Sequence, residues 1–360
     1  SKFIGVMVSS KSGIESTGGD ITITGTAGNG GAGNHGIFIT GTSVVKTAGA
    51  GSITITGTGA NTTSSAGVAI KTTSLIETEN GGILIDGTAT SNVVGQGASN
   101  LGIDINGSTV RIIGVTGSGD LIVLGTGSGR LDKNLGVSVV KSTLSVAGSG
   151  KVGLTGVASA LGGSSNTGVK VLGGSIVSTN TGDIEFTGTA GGTGKNNYGV
   201  WVSGTTLSST GGSFRVTGQG SLSGALDGNI GITIQKVTAN IGGDIELTGT
   251  SGTGTKNNHG VILNAVTLSA GGLLDILGIS SSVLPLGLNN NVGVYLTNAT
   301  SLTGAAGSSI VGTGGQGTAK NHGIYASGNT VIGGGLTAGD FVGTAGSGTG
   351  SLPEAGTFAF

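Results

Sequence analysis

The sequence repeats one pattern of roughly thirty residues along most of its length, and this repetition restricts the possible folds more than any other feature. Most copies read Asn, any residue, Gly and alternating apolar residues. Residues 18–26 and 242–250 then carry the full pattern Gly-Gly-Asp-Ile-x-Ile/Leu-Thr-Gly-Thr, and other copies carry parts of it. Neighbouring marker glycines lie between 29 residues (Gly231 to Gly260) and 35 residues (Gly67 to Gly102) apart. The eleven marker glycines are Gly5, Gly36, Gly67, Gly102, Gly136, Gly168, Gly199, Gly231, Gly260, Gly293 and Gly323.

Apolar and polar residues alternate within each copy, for example at Ile21 and Ile23 and again at Ile245 and Leu247. A period of two predicts short β-strands. No copy has the apolar spacing of an amphipathic helix, and each of the 81 glycines would cost about 1 kcal/mol relative to Ala inside a helix. Three short strands cannot bury their apolar faces alone, so successive copies must stack. The sequence therefore predicts an all-β fold, a single parallel β-helix (β-solenoid) of about eleven coils of roughly 32 residues, with three short strands each.

Asn stands two residues before the marker Gly in nine copies. Its amide can hydrogen-bond to the same amide one coil away, which predicts a structural Asn stack along the solenoid. We interpret the recurring glycines as bends that need a positive φ. The predicted stack contains Asn34, Asn100, Asn134, Asn166, Asn197, Asn229, Asn258, Asn291 and Asn321.

Composition excludes several classes of site. Cysteine is absent, which removes disulfide frameworks and Cys-based zinc sites. The net charge is −1, with 15 Lys and Arg among 16 Asp and Glu, so the chain lacks the concentrated basic surface that nucleic acid requires. No apolar run reaches the roughly 18 residues of a membrane span. His35, His259 and His322 share one phase of the repeat in different coils, too far apart to ligate one metal ion, and we predict no metal and no cofactor.

The last ten residues depart from the repeat. We therefore divide the chain into a solenoid domain, residues 1–350, and a C-terminal tail, residues 351–360. Phe358 and Phe360 in this tail are predicted either to cap the last coil or to pair with the first coil of another molecule. Uncapped coils favour end-to-end growth into a filament, because such a contact does not close on itself.

One column of the repeat, the residue two positions after each marker Gly, contains Phe38, Trp201, Tyr295 and Tyr325. Strand alternation directs these side chains away from the core, and large apolar side chains exposed on one face usually mark a contact surface. We predict that this outward stripe contacts a partner. Two alternatives stay open at this point: the variable loops cover the stripe, or the rings stack on sugars.

A second outward column contains Glu185, Arg215, Glu246 and Asp275 in adjacent coils. Glu185 and Glu246 would lie roughly 10 Å apart, just above the separation of the paired carboxylates in inverting glycosidases. Arg215 lies between them, which is typical of a cross-strand ion ladder. We therefore predict a structural role for the column, and it is the only candidate for a catalytic site.

The repeated unit resembles the β-strand repeats of very large bacterial surface proteins akin to filamentous haemagglutinin-like adhesins, over residues 1 to about 350. More distantly, it resembles the right-handed parallel β-helix of pectate lyases and tailspikes. The resemblance implies a right-handed, rod-like, extracellular element on a bacterial cell surface or in a secreted fibre.

We therefore expect a structural or adhesive protein, not an enzyme, that associates with itself end to end and laterally and contacts a cell-surface glycan. The alternative is a carbohydrate-active enzyme or phage tailspike that acts on a polysaccharide. A third hypothesis, ice binding, depends on the pairs Thr22/Thr24 and Thr54/Thr56 in adjacent coils, and the threonine array lapses at Leu84.

Overall fold

The chain forms a parallel β-solenoid of about ten turns, which confirms the predicted fold. Three sheets of eleven strands run along it, and every strand pairs in parallel with its counterpart in the next coil. The computed structural model describes residues 2–60, 62–90, 98–115, 117, 119–224, 226–281, 290–317 and 319–346. Phe358, Phe360 and the rest of the predicted tail lie outside these residues.

Each coil contributes one strand to each sheet, and we number the coils from 1 to 11 by their marker glycines. The strands of sheet A are Val6–Val8, Ile37–Ile39, Ala66–Lys71, Leu101–Asn106, Leu135–Val140, Thr167–Leu172, Tyr198–Ser203, Ile230–Gln235, Val261–Asn264, Val294–Thr297 and Ile324–Ser327. Those of sheet B are Gly13–Ser16, Val44–Thr47, Leu75–Thr78, Thr109–Ile112, Thr143–Val146, Ile176–Thr179, Thr206–Ser209, Thr238–Ile241, Thr267–Ala270, Thr300–Gly304 and Thr330–Gly334.

Sheet C follows in each coil, and one short 3-10 helix, Ala338–Asp340, precedes its last strand. The strands of sheet C are Ile21–Thr26, Ile53–Gly59, Ile83–Ala89, Leu121–Thr126, Val152–Val157, Ile184–Thr189, Phe214–Gln219, Ile245–Thr250, Leu274–Ile279, Ser309–Thr313 and Phe341–Thr344. In the described part of the chain, no helix has the length and apolar character needed to cross a membrane.

The core consists of columns of like residues that point inward from each sheet. In sheet C, Ile53 pairs with Ile21 on one side and with Ile83 on the other, and all three are buried. Most residues in these columns are β-branched, and their stiff side chains pack well on a pleated surface. Because like stacks on like, every coil buries the same apolar faces against its neighbours.

The marker glycines have a role that differs from the predicted one. Other recurring glycines, such as Gly173 and Gly204, do have a positive φ, whereas no marker glycine has one. A Cβ atom on Gly199 would instead lie 2.4 Å from the backbone nitrogen of Gln219, and one on Gly188 in sheet C would lie 2.1 Å from the carbonyl oxygen of Gly199. Equivalent contacts recur along the solenoid, so two columns of glycine let the backbones of sheets A and C touch. Close approach, and not a bend, requires glycine at the marker positions.

Non-glycine residues occupy many of the bends with a positive φ, especially the turn that leads into sheet A. The residue three positions before the marker Gly adopts φ values between 56° and 72° at Ser64, Ser99, Lys133, Ser165, Asn196, Asn257, Asn290 and Lys320. Left-handed backbone is unfavourable for residues other than Gly, Asn and Asp. The neighbouring Asn column stabilises this turn.

The nine asparagines form a buried column in which the main link between coils differs from an amide-to-amide stack. The backbone N–H of each Asn typically donates to the side-chain oxygen of the Asn in the next coil, as between Asn134 and Asn166 at 2.8 Å. The side-chain nitrogen usually donates to a carbonyl three residues earlier, as from Asn166 to Gly163 at 2.9 Å. Amide-to-amide bonds are additional, for example from Asn197 to Asn229 at 3.0 Å.

Candidate functional site

The outer face of sheet A gathers every Tyr, Trp and His of the chain. Its members occupy two columns, the residue before each marker Gly and the residue two positions after it. The face includes all three tyrosines, the single tryptophan and all three histidines of the sequence, together with one of its seven phenylalanines. We call this set the aromatic face: His35, Phe38, Tyr198, Trp201, His259, Tyr295, His322 and Tyr325.

Ring contacts show that the two columns share one side of the sheet. The rings of Tyr198 and Trp201 lie 5.2 Å apart, those of His35 and Phe38 lie 5.0 Å apart, and His322 stacks on Tyr325 at 5.1 Å. Such separations are typical of favourable aromatic pairs. The residue before the marker Gly and the residue two positions after it therefore point to the same side of sheet A.

Phe38, Trp201, Tyr295 and Tyr325, the four members of the predicted stripe, lie in one register column. Tyr295 pairs directly with Tyr325, and their rings are 5.4 Å apart. The alternation of the strand predicts that these side chains point away from the core, and all four are half-buried. The side chains of the preceding column and of the left-handed turn pack beside them, so the stripe forms the floor of shallow grooves.

The central groove, of about 480 Å³, lies over coils 4 to 7. Its walls include Lys133 and Leu135, and Lys170, Tyr198 and Trp201 also line it. The Lys170 ammonium lies 4.9 Å from the centre of the Trp201 ring, within the range of a cation–π contact. The groove is comparable in size to small-molecule sites, which are typically about 300–1,000 Å³.

The central groove carries positive charge without a carboxylate in its lining. Burial, and next the nearby charge of Lys133, lower the pKa of Lys170, while burial raises the pKa of Tyr198 and keeps its hydroxyl neutral. The indole Nε1 of Trp201 and the hydroxyl of Thr233, in the next coil, are buried without a hydrogen-bond partner among the described residues.

A second groove of about 420 Å³ lies over coils 9 to 11 and repeats this combination of groups. Lys256 and Lys320 line it together with Tyr295 and Tyr325. Lys256 also approaches Asp227 at 3.6 Å, outside the lining. Two lysines and two large aromatic residues therefore occur in each groove.

Two histidines of the aromatic face accept hydrogen bonds from the backbone. The N–H of Ala66 donates to Nδ1 of His35 at 3.1 Å, and that of Val292 donates to Nδ1 of His259 at 3.3 Å. Burial lowers the pKa of both His35 and His259 to about 4. Within the described residues, no group of three or more His, Asp or Glu side chains could hold a metal ion.

The charged column on sheet C forms a network of ion pairs. Arg215 bonds to Glu246 at 3.0 Å and, in the preceding coil, to Asp183, whereas Glu185 approaches it only to 4.0 Å. Glu185 pairs instead with Lys151 at 2.9 Å, and Asp275 accepts from the backbone N–H of Ser309. Each carboxylate of the candidate catalytic set therefore already has a partner.

The threonine pairs proposed for ice binding lie in register on sheet C, Thr22 beside Thr54 and Thr24 beside Thr56. Their counterparts in coil 3 are Leu84 and Asp86, so the regular array covers two coils in these columns.

Sequence reasoning missed Tyr198, Lys133 and Lys170 as parts of a groove. The shared phase of the three histidines was a usable signal, because Tyr198 occupies the same phase as His35. Lys170 also had a signal, because it occupies the same column as Trp201 one coil earlier and pairs directly with it. Only the place of Lys133 depends on the conformation of the turn.

Comparison of the chain with protein-family models, with curated proteins and with solved structures gave no match.

Proposed function

We propose that this chain is a rigid structural rod that acts in adhesion, with the aromatic face as its binding surface. The observation that carries the proposal is the gathering of every Tyr, Trp and His onto one outer face of a sheet. Aromatic residues are enriched in binding interfaces because they offer large contact areas with few rotatable bonds. A solenoid that needed these residues only for packing would distribute them over its three sheets.

The site of action in this proposal is the bacterial cell surface or a secreted fibre, and it rests on the resemblance of the repeat to haemagglutinin-like adhesins. The proposal includes lateral association of rods through the aromatic face and contact with a cell-surface glycan. The ion-paired state of Glu185, Arg215 and Glu246 gives no support to the alternative of a polysaccharide-cleaving enzyme.

The test compares a triple variant with a double variant as its control. Trp201→Ser/Tyr295→Ser/Tyr325→Ser removes the large rings of the aromatic face. The control removes exposed apolar side chains from sheet B by Ile176→Ser and Val331→Ser, which are 45% and 55% exposed. Retention on bacterial cells is measured by flow cytometry, and self-association by sedimentation velocity. We expect the triple variant to lose both and the control to keep both; equal retention and self-association by all three proteins would refute the proposal.

A further inference from the structure

We propose that the ligand of the aromatic face is an acidic polysaccharide, whose anionic groups pair with the lysines of the two grooves while its sugar rings lie on the aromatic side chains. This inference rests on the proposed adhesive function and assigns it a ligand class.

Charge is the first argument. Lys170 is half-buried beside Trp201, close enough to Lys133 for the two charges to repel, and no carboxylate lines the groove. Two cations held together without a counter-ion are stabilised by an incoming anion. By contrast, Lys46, Lys71 and Lys151 elsewhere on the rod each pair with a carboxylate, and in the second groove Lys256 lies 3.6 Å from Asp227. The charge argument therefore applies to the central groove.

The aromatic lining is the second argument. Flat rings present apolar faces to the carbon–hydrogen faces of a sugar, and neighbouring polar groups orient its hydroxyls. Trp201 provides such a ring, and its Nε1 is a buried donor without a partner in the described structure. The Thr233 hydroxyl, also unpartnered there and 7% exposed, lies on the adjacent strand. Both atoms are closed to solvent in this structure, so the sugar contact rests on the rings of Tyr198 and Trp201 that line the groove.

Repetition of the groove is the third argument, and it favours a polymer. Trp201 in the central groove and Tyr325 in the second groove are four coils apart, which corresponds to about 20 Å at the usual strand spacing. A chain molecule that contacts both grooves gains affinity because its second contact forms at high effective concentration. Each groove supplies the same pair of elements, lysines and aromatic rings.

Single-stranded nucleic acid is also an anionic polymer that stacks on aromatic residues, but the face suits it less well. Nucleic-acid channels combine a continuous basic track with successive stacking platforms. Here Thr233 and Ile262 interrupt the aromatic column between the grooves, and the net charge of the chain is −1.

The experiment titrates the full chain with polygalacturonate (carboxylate), heparin (sulfate), neutral dextran and single-stranded oligothymidylate. Trp201 is the only tryptophan, so its fluorescence reports on the central groove directly in the unaltered protein. Isothermal titration calorimetry supplies the affinities. We expect at least one of the two acidic polysaccharides to change the Trp201 emission, with weaker binding at higher salt and no binding of dextran. The two acidic arms distinguish carboxylate from sulfate.

Two double variants localise the binding. Lys133→Asn/Lys170→Gln removes the charges of the central groove, and Asn suits the first position because Asn196 and Asn257 adopt the same turn conformation. Lys141→Asn/Lys236→Asn removes equal charge from exposed turns at the other end of the sheet A strands. We expect about tenfold weaker binding for the first variant and about twofold or less for the second.

Several outcomes would overturn the ligand assignment: no binding of either acidic polysaccharide, equal binding of dextran, tighter binding of oligothymidylate, or equal losses in the two double variants. If cell retention still depends on Trp201, Tyr295 and Tyr325 in that case, the adhesive function stands and only the ligand class is wrong. If the ring variants keep full retention and self-association, the adhesive function itself is wrong.

Discussion

At the scale of single residues, two side-chain choices determine the shape of each coil. Glycine at the marker position lets sheets A and C touch through their backbones, and Asn two residues earlier connects each turn to the next. Neither choice contributes apolar surface. Glycine places a narrow steric requirement on every coil, and Asn places a hydrogen-bonding requirement on nine of the eleven.

The glycine requirement predicts a large loss of stability for Gly199→Ala. The new methyl group would lie 2.4 Å from the Gln219 nitrogen and 2.5 Å from the Gly231 oxygen, and backbone atoms cannot yield as a flexible side chain would. We expect a loss of about 3 kcal/mol or more in the free energy of unfolding, measured with urea. Gly211→Ala is the control, since its nearest contact is the Thr181 methyl group at an ordinary 3.4 Å. Equal stability of the two variants would contradict the close-approach role.

The Asn column predicts different effects of two substitutions at Asn197, whose side-chain oxygen accepts from the backbone N–H of Asn166 at 2.9 Å. Asn197→Ala leaves that buried donor unpaired, which costs about 1–3 kcal/mol. Asn197→Ser should lose less, because Ser65 occupies this position in coil 3 and its hydroxyl accepts from the Asn34 backbone. Urea unfolding of both variants measures the difference. Equal losses would mean that packing, and not hydrogen bonding, sets the role of the column.

At the scale of strands, ion pairs connect adjacent coils on the outer faces of the sheets. On sheet B, Glu77 in coil 3 is only 2% exposed and bonds to Lys46 in coil 2 at 2.8 Å and to Arg111 in coil 4 at 2.5 Å. Burial by itself raises the pKa of Glu77, but the hydrogen bonds from Lys46 and Arg111 outweigh it and hold the pKa below its ordinary 4.5.

This ion triad predicts a pH-dependent effect of Glu77→Gln. A carboxyl group whose pKa is lowered on folding stabilises the protein above its ordinary pKa, and the stabilisation is lost as the pH falls through the lowered value. Unfolding in urea at pH 7 should show the variant less stable by roughly 2 kcal/mol, because the two freed cations are half exposed and regain solvent. At pH 3 the gap between variant and wild type should shrink. A gap that stays constant would show that Glu77 acts through packing.

The strands themselves were predictable, whereas their contacts with the turns were not. Alternation at Ile21 and Ile23 specifies which residues face inward, and stacking of like on like then fixes the register with Ile53 and Ile55. Glycine, however, is compatible both with a left-handed bend and with close backbone approach, and the pattern alone does not separate them. Local alternation likewise identified Trp201 as outward but gave no account of the turn that places Lys133 in the same groove.

At the scale of the whole molecule, each coil contacts chiefly the coils before and after it, and one repeat makes one turn. Stability in such a protein is approximately a sum of coil terms and terms for neighbouring pairs of coils. The number of coils can therefore change without altering the geometry of those that remain.

This modularity predicts that the chain tolerates deletion of one complete coil. Removing residues 36–66 joins His35 to Gly67, restores the Asn-x-Gly sequence at the junction and lets Ile21 stack on Ile83 in place of Ile53. We expect a folded rod shortened by about 4.8 Å, detected by small-angle X-ray scattering, with a single unfolding transition at somewhat lower urea. Part of that loss follows from removing Lys46, which bonds to Glu77.

The matched control removes residues 36–52, which joins His35 directly to the sheet C strand that begins at Ile53. The chain then has no sheet A or sheet B strand for that turn. The sheet C glycine of that turn consequently has no sheet A glycine of its own coil to pack against. We expect this shorter deletion to unfold or aggregate, although it removes fewer residues. If both deletions fold equally well, or if only the shorter one folds, the coil is not the unit in which this molecule is built.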